Sequence, residues 1–430
     1  MKILVIGSGG REHALLWSLG KNTDRALSFY CAPGNAGIAQ LAECVPLSAT
    51  DVSSLAQFAA EEEIDLTIVG SEAPLAAGIA DLFEERELLI AGARREAARL
   101  ESSKAFAKDF MARHSIPTAR YRVCESAEDA RAILERGEFG GADSPVVVKA
   151  DGLAAGKGVV VARSRAEAIG AVEEMMLKGA VGAEAARRVV IEEALQGREA
   201  SLLLFTDGRD YSLMPAARDH KRIGENDTGP NTGGMGAITD RSVLDSETLS
   251  RVVREVVEPT LEGARAEGFP YRGVLFIGLM LTGDGVRVLE YNVRFGDPEA
   301  QAILVRLQTD LATVFETIAR GGGLDSINLQ WSDESSACVV LSARGYPAKP
   351  ETGAQINVLD EASQTPNVEI FHSGTSRAPE GQWLTAGGRV LGVTATAPSL
   401  DEALRRSYDA IDKINWDGMQ FRRDIGRFRE

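Results

Sequence analysis

Residues 289–300 read LEYNVRFGDPEA, and this stretch decides how the middle of the chain folds. It closes VRVLEYNVRFG (286–296), which follows GVLFIGLMLTGDG (273–285), so TGDG joins two antiparallel strands as a hairpin. Glu290 and Asn292 alternate along the second strand and therefore point to one side, with Arg294 continuing that face. Two oxygen ligands of that kind suit Mg²⁺, which takes few protein ligands and completes its shell with water and phosphate oxygens. A cation beside such a site is best explained by an anionic substrate bridging the two. The bland alternative is an exposed strand face of mixed charge, in which an isolated Asn has no packing purpose.

The antiparallel pattern extends back through EASLLLFTDG (199–208) and YSLMPAARDHKR (211–222). Between them and the hairpin, DTGPNTGGMGA (227–237) is too irregular for a strand or helix. It reads as a long ordered loop that brings backbone close to a ligand, or else as a flexible linker. Asp219, His220 and Lys221 form one charged cluster, in which His220 reads as a structural histidine.

Upstream, RLESSKAFAKDFMARHSIP (99–117) reads as a capped amphipathic helix ended by Pro117. PVVVKADG (145–152), KGVVVA (157–162) and RRVVIEEAL (187–195) are Val-rich strands, with the helix AEAIGAVEEMML (166–177) between the last two. DGLAAGKGV (151–159) misses the P-loop count, because three residues separate Gly152 from Gly156 and Gly158 follows Lys157. It is a hairpin with a glycine tip that can close over a polyphosphate, or one that is merely mobile. Lys149 is expensive to bury inside PVVVK unless it faces an anion; a snorkelling strand-end lysine is the alternative. In VIEEALQGRE (190–199) the strand opens into a turn whose backbone can meet a purine edge, with Glu199 placed for ribose hydroxyls. Charged residues after a strand are more simply a solvated face.

The first hundred residues follow another rule. KILVIG (2–7), ALSFYCAPG (26–34) and IDLTIVG (64–70) are apolar strands, separated by EHALLWSL (12–19) and DVSSLAQFAAEEE (51–63), with Asp51 or Ser53 as cap. That alternation predicts a parallel, Rossmann-like sheet with ligands beyond the strands' carboxyl ends, at GSGGREH, APGNAG and GSEAP. A dinucleotide needs a third glycine where Glu12 stands, and an acidic residue where the second strand ends in Tyr30, Cys31 and Ala32. What remains is a seat for one phosphate or a plain strand–helix turn. Residues 330–430 hold SACVVLSARGYP, NVEIFHSG, GRVLGVTATA and LDEALRRSYDAIDKI, and read as a supporting domain.

The chain's 430 residues allow two to four domains, and 47 Lys plus Arg against 63 Asp plus Glu give a net charge of −16. Such a surface repels nucleic acid and anionic membrane, so an anionic ligand must be met by a few placed cations. Four scattered cysteines and four scattered histidines fit reduced thiols and no zinc site. No apolar run reaches the roughly 18 residues of a membrane span. A soluble, cytoplasmic protein is expected.

Together these motifs resemble the ATP-grasp carboxylate–amine ligases, and within them the family that joins glycine to 5-phosphoribosylamine. GSGGREHAL, PGNAG, KADGLAAGKGV, GPNTGGMGA and EYNVRFGDPE occur in that family's order and spacing, and the likeness runs from Met1 to the terminal MQFRRDIG. It implies an α/β and α+β multidomain fold: an N-terminal Rossmann-like parallel-sheet domain (1–103), an ATP-grasp domain (104–325) with a small lid (about 123–192), and a C-terminal α+β domain (326–430). It implies Mg²⁺ or Mn²⁺ as cofactor, ATP as co-substrate, small-molecule partners only, and a monomer or weak dimer.

Carried over residue by residue, the resemblance assigns the ATP phosphates to Lys104 and Lys149, and the lid tip to Ala155, Gly156, Lys157 and Gly158. Glu193, Ala194 and Leu195 would read adenine through backbone, Glu199 would bind ribose, and Glu290 with Asn292 would hold the metal. Arg294 would meet the glycine carboxylate, with Asp219 for its amino group. Gly9, Gly10, Pro33, Gly34, Asn35 and Glu72 would line the phosphoribosylamine site, and Gly233, Gly234 and Met235 would approach substrate. The chain departs from the family at Ser71 in GSEAP, at Arg218 before DHK, and in FIGLM (276–280), which carries no carboxylate. Other readings are an ATP-grasp ligase for another amine or acid, a nucleotide-binding regulator, and a dehydrogenase.

Overall fold

The chain is seen in a computed structural model, which describes residues 1–154 and 156–427. Its N-terminal part is a five-stranded sheet in the order Glu43–Cys44, Ser28–Pro33, Lys2–Gly7, Leu66–Val69, Ile90–Ala91. Every pairing in it is parallel, as the apolar strands and intervening helices predict. The two outer strands are only two residues long and carry no sequence signal. Helix Val52–Glu61 starts at Asp51, whose carboxylate accepts the Ser54 N–H at 3.1 Å.

The stretch expected as one helix from residue 99 is two. Arg95–Ser102 ends at Ser103, which leaves helical geometry (φ −140°, ψ 109°), and its hydroxyl caps the next helix, Lys104–Arg113. That helix stops at His114, before Pro117. The break matters because it puts Lys104 at a helix start, beside the cavity described below.

Residues 121–193 form a small four-stranded antiparallel sheet, in the order Tyr121–Cys124, Val189–Glu193, Val146–Ala150, Val159–Ala162. Lys149 pairs with Val159, so DGLAAGKG is the tip of a hairpin. This sheet packs under helices Ala127–Arg136 and Arg165–Val172 around a core of its own that includes Val148, Ile191 and Ala168.

Most of the remaining strands build one nine-stranded sheet, beside a two-stranded and a three-stranded one. Arg272–Thr282 and Gly285–Asn292 form the hairpin predicted from TGDG, and Arg198–Asp207 pairs alongside. The glycine-rich segment is more regular than expected: Thr228–Asn231 pairs with Arg222–Gly224, and Gly236–Thr239 is a strand of the large sheet. The C-terminal part is not a separate layer. Ser335–Ser342 pairs with Gly236–Thr239, so Arg389–Ala397 and Val368–His372 continue the same sheet. One hydrophobic core accordingly runs from Leu4 through Leu202 to Val339. No helix among the described residues is long and apolar enough to cross a membrane.

Candidate active site

A cleft of about 640 Å³ lies between the small sheet and the large one. Fourteen expected residues line it: Glu72, Lys104, Lys149, Gly156, Gly158, Glu193, Ala194, Leu195, Glu199, Asp219, Gly233, Glu290, Asn292 and Arg294. Ala155 lies outside the described residues, and Lys157 is exposed on the hairpin tip.

At the hairpin end the walls are apolar, with Met111, Val147, Val161, Leu195 and Met280 around a polar floor. Lys149 Nζ lies 2.9 Å from Glu192 Oε1 and donates to Leu289 O at 3.1 Å. Lys108 Nζ lies 2.9 Å from the other oxygen, Glu192 Oε2, and donates to Thr118 Oγ1. Burial draws the Lys108 ammonium down to about 8, against the pull of Glu192. Lys108 and Glu192 were not found from sequence; Lys108 follows Lys104 by one helical turn, which is the signal available. The Glu193 carboxylate turns away to Arg120, accepting its N–H at 2.8 Å and its Nε at 2.7 Å. Glu199 sits 2.9 Å from Lys221 Nζ.

Glu290 and Asn292 stand opposite Gly278 and Phe276 on the neighbouring strand. Gly278 makes room: a Cβ there would come 3.3 Å from Glu290 Cγ. Burial raises the Glu290 carboxyl, but Lys221, Lys149, Lys104 and Arg294 hold it below its ordinary value, so it stays charged. Among the described residues no group of three or more His, Cys, Asp or Glu could hold a metal. The two-oxygen pair still fits Mg²⁺, because that ion takes few protein ligands and keeps waters and phosphate oxygens.

Arg294 is more committed than the sequence reading supposed. Its Nε donates to Glu72 Oε2 at 3.1 Å, and Nη2 to Glu101 Oε1 at 2.8 Å and Asn292 Oδ1 at 3.1 Å. Glu101 also accepts the Val293 N–H at 2.7 Å. Sequence reasoning missed Glu101, which lies inside an apparent helix surface. Beyond Arg294, Asp219 Oδ1 is buried without a hydrogen-bond partner. Burial and then the nearby Glu299 push its carboxyl well above the usual range, against Lys221 and Arg389. Glu299 is itself buried and raised, with Ser201 Oγ at 3.3 Å.

The C-terminal part, read as support, reaches this end of the cleft. Arg389 Nη1 donates to Asp297 O at 2.6 Å and to Gly233 O, and Nη2 lies 3.1 Å from Asp297 Oδ2. Gly233 N–H donates to Tyr346 Oη at 2.9 Å. Gly234 is left-handed (φ +111°), and a Cβ there would strike Pro298 at 2.5 Å and Asp219 Oδ1 at 2.9 Å. Met235 corrects the expectation that it meets substrate. It is fully buried, its N–H donates to His220 O and its carbonyl accepts from Val340, so it serves packing.

The loops of the N-terminal sheet abut the same wall, since a Cβ on Gly9 would lie 3.4 Å from Asp297 Oδ2. Glu12 folds over Gly7 and Gly70, where a Cβ would come within 2.5 and 2.3 Å of it, and takes the Gly9 N–H at 2.6 Å. A fixed carboxylate therefore stands where a dinucleotide's pyrophosphate needs free donors. Gly10 begins helix Gly10–Leu19, close to Ser373 and Gln301. Gly34, after Pro33, is left-handed (φ +71°) against Cys44. The Asn35 side chain is spent on structure, donating to Ser8, His372 and Ser373 carbonyls and accepting the Gly37 and Ile38 N–H groups.

A small sheet whose glycine hairpin overhangs lysines, facing a large antiparallel sheet that presents Glu290, Asn292 and Arg294, defines an ATP-grasp ligase. The models of phosphoribosylglycinamide synthetase match in three pieces: the N domain at 1–101, the ATP-grasp (A) domain at 102–300 and the C domain at 336–428. The phosphoribosylamine–glycine ligase of Brucella melitensis biotype 1 is 46% identical, covering 99% of this chain and 97% of that protein. That of Xanthomonas axonopodis pv. citri is 47% identical, covering 99% and 97%. The crystal structure of phosphoribosylamine–glycine ligase from Thermotoga maritima superimposes with a TM-score of 0.84 at 33% identity, covering 99% of this chain and 100% of that one. The biotin carboxylase domain of Hydrogenobacter thermophilus 2-oxoglutarate carboxylase, in complex with MgADP, shares the fold at a TM-score of 0.72 and 16% identity, over 98% and 91%. The chain belongs to the phosphoribosylamine–glycine ligase family.

Proposed function

We propose that the cleft carries the family's reaction with the residues placed as follows. The enzyme ligates glycine to 5-phosphoribosylamine at the expense of ATP, giving glycinamide ribonucleotide, ADP and phosphate in purine biosynthesis. A glycine carboxylate oxygen takes the γ-phosphoryl group, with ADP leaving, because a free carboxylate is a poor electrophile. The phosphoribosylamine nitrogen then attacks the acyl carbon, the C–N bond forms, phosphate departs and the amine gives up a proton.

Such transfer needs positioning and charge neutralisation more than a protein nucleophile. Lys104 and Lys149 hold the ATP phosphates, the backbone of Glu193, Ala194 and Leu195 meets adenine, and Glu199 meets ribose. Glu290 and Asn292 would hold Mg²⁺ or Mn²⁺, which when bound offsets phosphate charge. Arg294 offers glycine's carboxylate the Nη1 hydrogen that Glu72, Glu101, Asn292 and the Phe295 carbonyl leave over, while Asp219 takes its ammonium through the unpartnered Oδ1. The Gly156–Gly158 tip covers the acyl phosphate and keeps water out. Gly9, Gly10, Pro33, Gly34 and Glu72 border the sugar phosphate, with Asn35 shaping that loop. We read the units as 1–103, 104–325 and 326–430, and the enzyme as a cytoplasmic monomer or weak dimer.

One observation carries this reading: Glu290, Asn292 and Arg294 face the same cleft as Lys104, Lys149 and the glycine tip. The test is coupled ADP release with glycine and freshly generated phosphoribosylamine. ADP release that needs both substrates is the expected result; release with another acid or amine, or none, overturns it.

A further inference from the structure

MQFRRDIG (419–426), given no task by the reaction, ends in a charged knot. Arg422 is the largest fully buried side chain among the described residues, with 0% exposure. Its Nε and Nη2 donate to the two oxygens of Asp424, both at 2.8 Å, and Nη1 donates to Asp227 Oδ1 at 2.7 Å and to Arg222 O at 3.1 Å. A guanidinium is always charged, so burying one demands this full set of acceptors.

The knot's other half is the Arg222–Asn231 hairpin that overhangs the cleft, where Arg222, Asp227 and Asn231 are lining residues. Asn226 and Asp227 are both left-handed (φ +57° and +54°), a backbone state that side chains other than glycine adopt reluctantly. The tail supports both of them. Asn226 N–H donates to Asp424 Oδ2 at 2.8 Å, Asp227 accepts from Arg422, and Arg423 N–H donates to Glu225 Oε1 at 3.1 Å. Further on, Gly426 N–H donates to His220 Nε2 at 2.9 Å, and His220 is the neighbour of Asp219. Tyr408 fastens the tail to the body, donating to Arg422 O and accepting from Ile425 N–H.

We propose that Arg422, locked by Asp424, is a positioning residue that sets the 219–235 segment and thereby holds Asp219 at the glycine end of the cleft. This rests on the reading of Asp219 as the ammonium acceptor. The tail acts like a strap over the segment, with no contact to substrate of its own. Lys104, Lys149 and residues 193–195, read as holding ATP, stand outside that segment, and Glu199 touches it through Lys221 at 2.9 Å, so ATP binding suffers less than glycine binding.

The test compares Arg422→Gln, Asp424→Asn and Asp219→Asn in the full chain. Asp424→Asn keeps size and shape and guards against an Arg422 variant that fails to fold. Coupled ADP release gives the KM for glycine, and titration with ATP alone gives its Kd. Both tail variants should raise the glycine KM roughly tenfold and leave the ATP Kd within about threefold. An unchanged glycine KM in folded Asp424→Asn overturns the strap, as does an equal loss of ATP and glycine, which would mark general loosening. A rise in Asp219→Asn alone defeats the strap and keeps the pocket. A rise in the tail variants without one in Asp219→Asn keeps the strap and removes Asp219 from the pocket.

Discussion

Arg294 and Glu72, 222 positions apart in sequence, meet at 3.1 Å and tie the N-terminal sheet to the end of the hairpin strand that carries Glu290 and Asn292. Glu101 completes the clamp from the other side at 2.8 Å. The arginine thus arrives at the cleft already oriented, in a guanidinium fork whose geometry a lysine cannot copy. Glu101→Ala leaves that buried cation short of a partner and the Val293 N–H without its acceptor. It should lower stability by about 3 kcal/mol in urea unfolding. Glu72→Gln, at a more exposed carboxylate, should cost clearly less.

Glu290→Gln should lower kcat by about two to three powers of ten while changing ATP affinity far less. The carboxylate is kept charged by four cations facing it, so the neutral amide loses the feature that the site is built to maintain. Unchanged turnover at saturating Mg²⁺ would remove the metal-binding assignment.

Shortening the hairpin tip between Gly156 and Gly158 should raise the KM for ATP or the rate of ATP loss without product. The tip is anchored through Lys149 and Val159, and a Cβ added at Gly156 would meet no described neighbour within 4 Å, the room a moving cover requires. Comparing phosphate release with glycinamide ribonucleotide formed gives the uncoupled fraction directly.

Stability should fall on mild acidification. Burial draws His13 from its usual 6.5 to about 4 and His372 to about 3, and His13 Nδ1 accepts the His372 N–H across the joint between the first helix and the C-terminal strands. Between pH 6.5 and 4 the unfolded chain binds protons that the folded one refuses, so stability present above 6.5 drains away as pH falls. For His13 the loss is on the order of 3 kcal/mol by pH 4. His13→Gln should flatten the slope of unfolding free energy against pH in that window; an unaltered slope would show that other groups govern it.

The parallel sheet was legible because its central strands are unbroken apolar runs with helices between them, and the TGDG hairpin because its turn chemistry is local. What escaped has a common physical cause. Ser103 interrupts a helix without proline or glycine, through a hydroxyl that caps the next helix and donates to the remote Asp151. Glu101, Lys108 and Arg389 look like surface charges in one dimension and become site residues only when remote partners neutralise them. Pairing of Gly236–Thr239 with Ser335–Ser342 joins residues about a hundred positions apart, and no local pattern specifies it. Asn35 and Met235 show the converse, since their side chains bond within the loop or pack in the core, a distinction that motif membership does not make.

That distant pairing limits how the molecule can be cut. A fragment stopping near residue 330 would leave Gly236–Thr239 as a raw border of unpaired N–H and C=O groups beside the cleft. Bare borders of that kind recruit one another. Shortened versions should therefore clump rather than yield a minimal enzyme, and fusions or insertions belong on the small hairpin-bearing sheet, whose interior is its own.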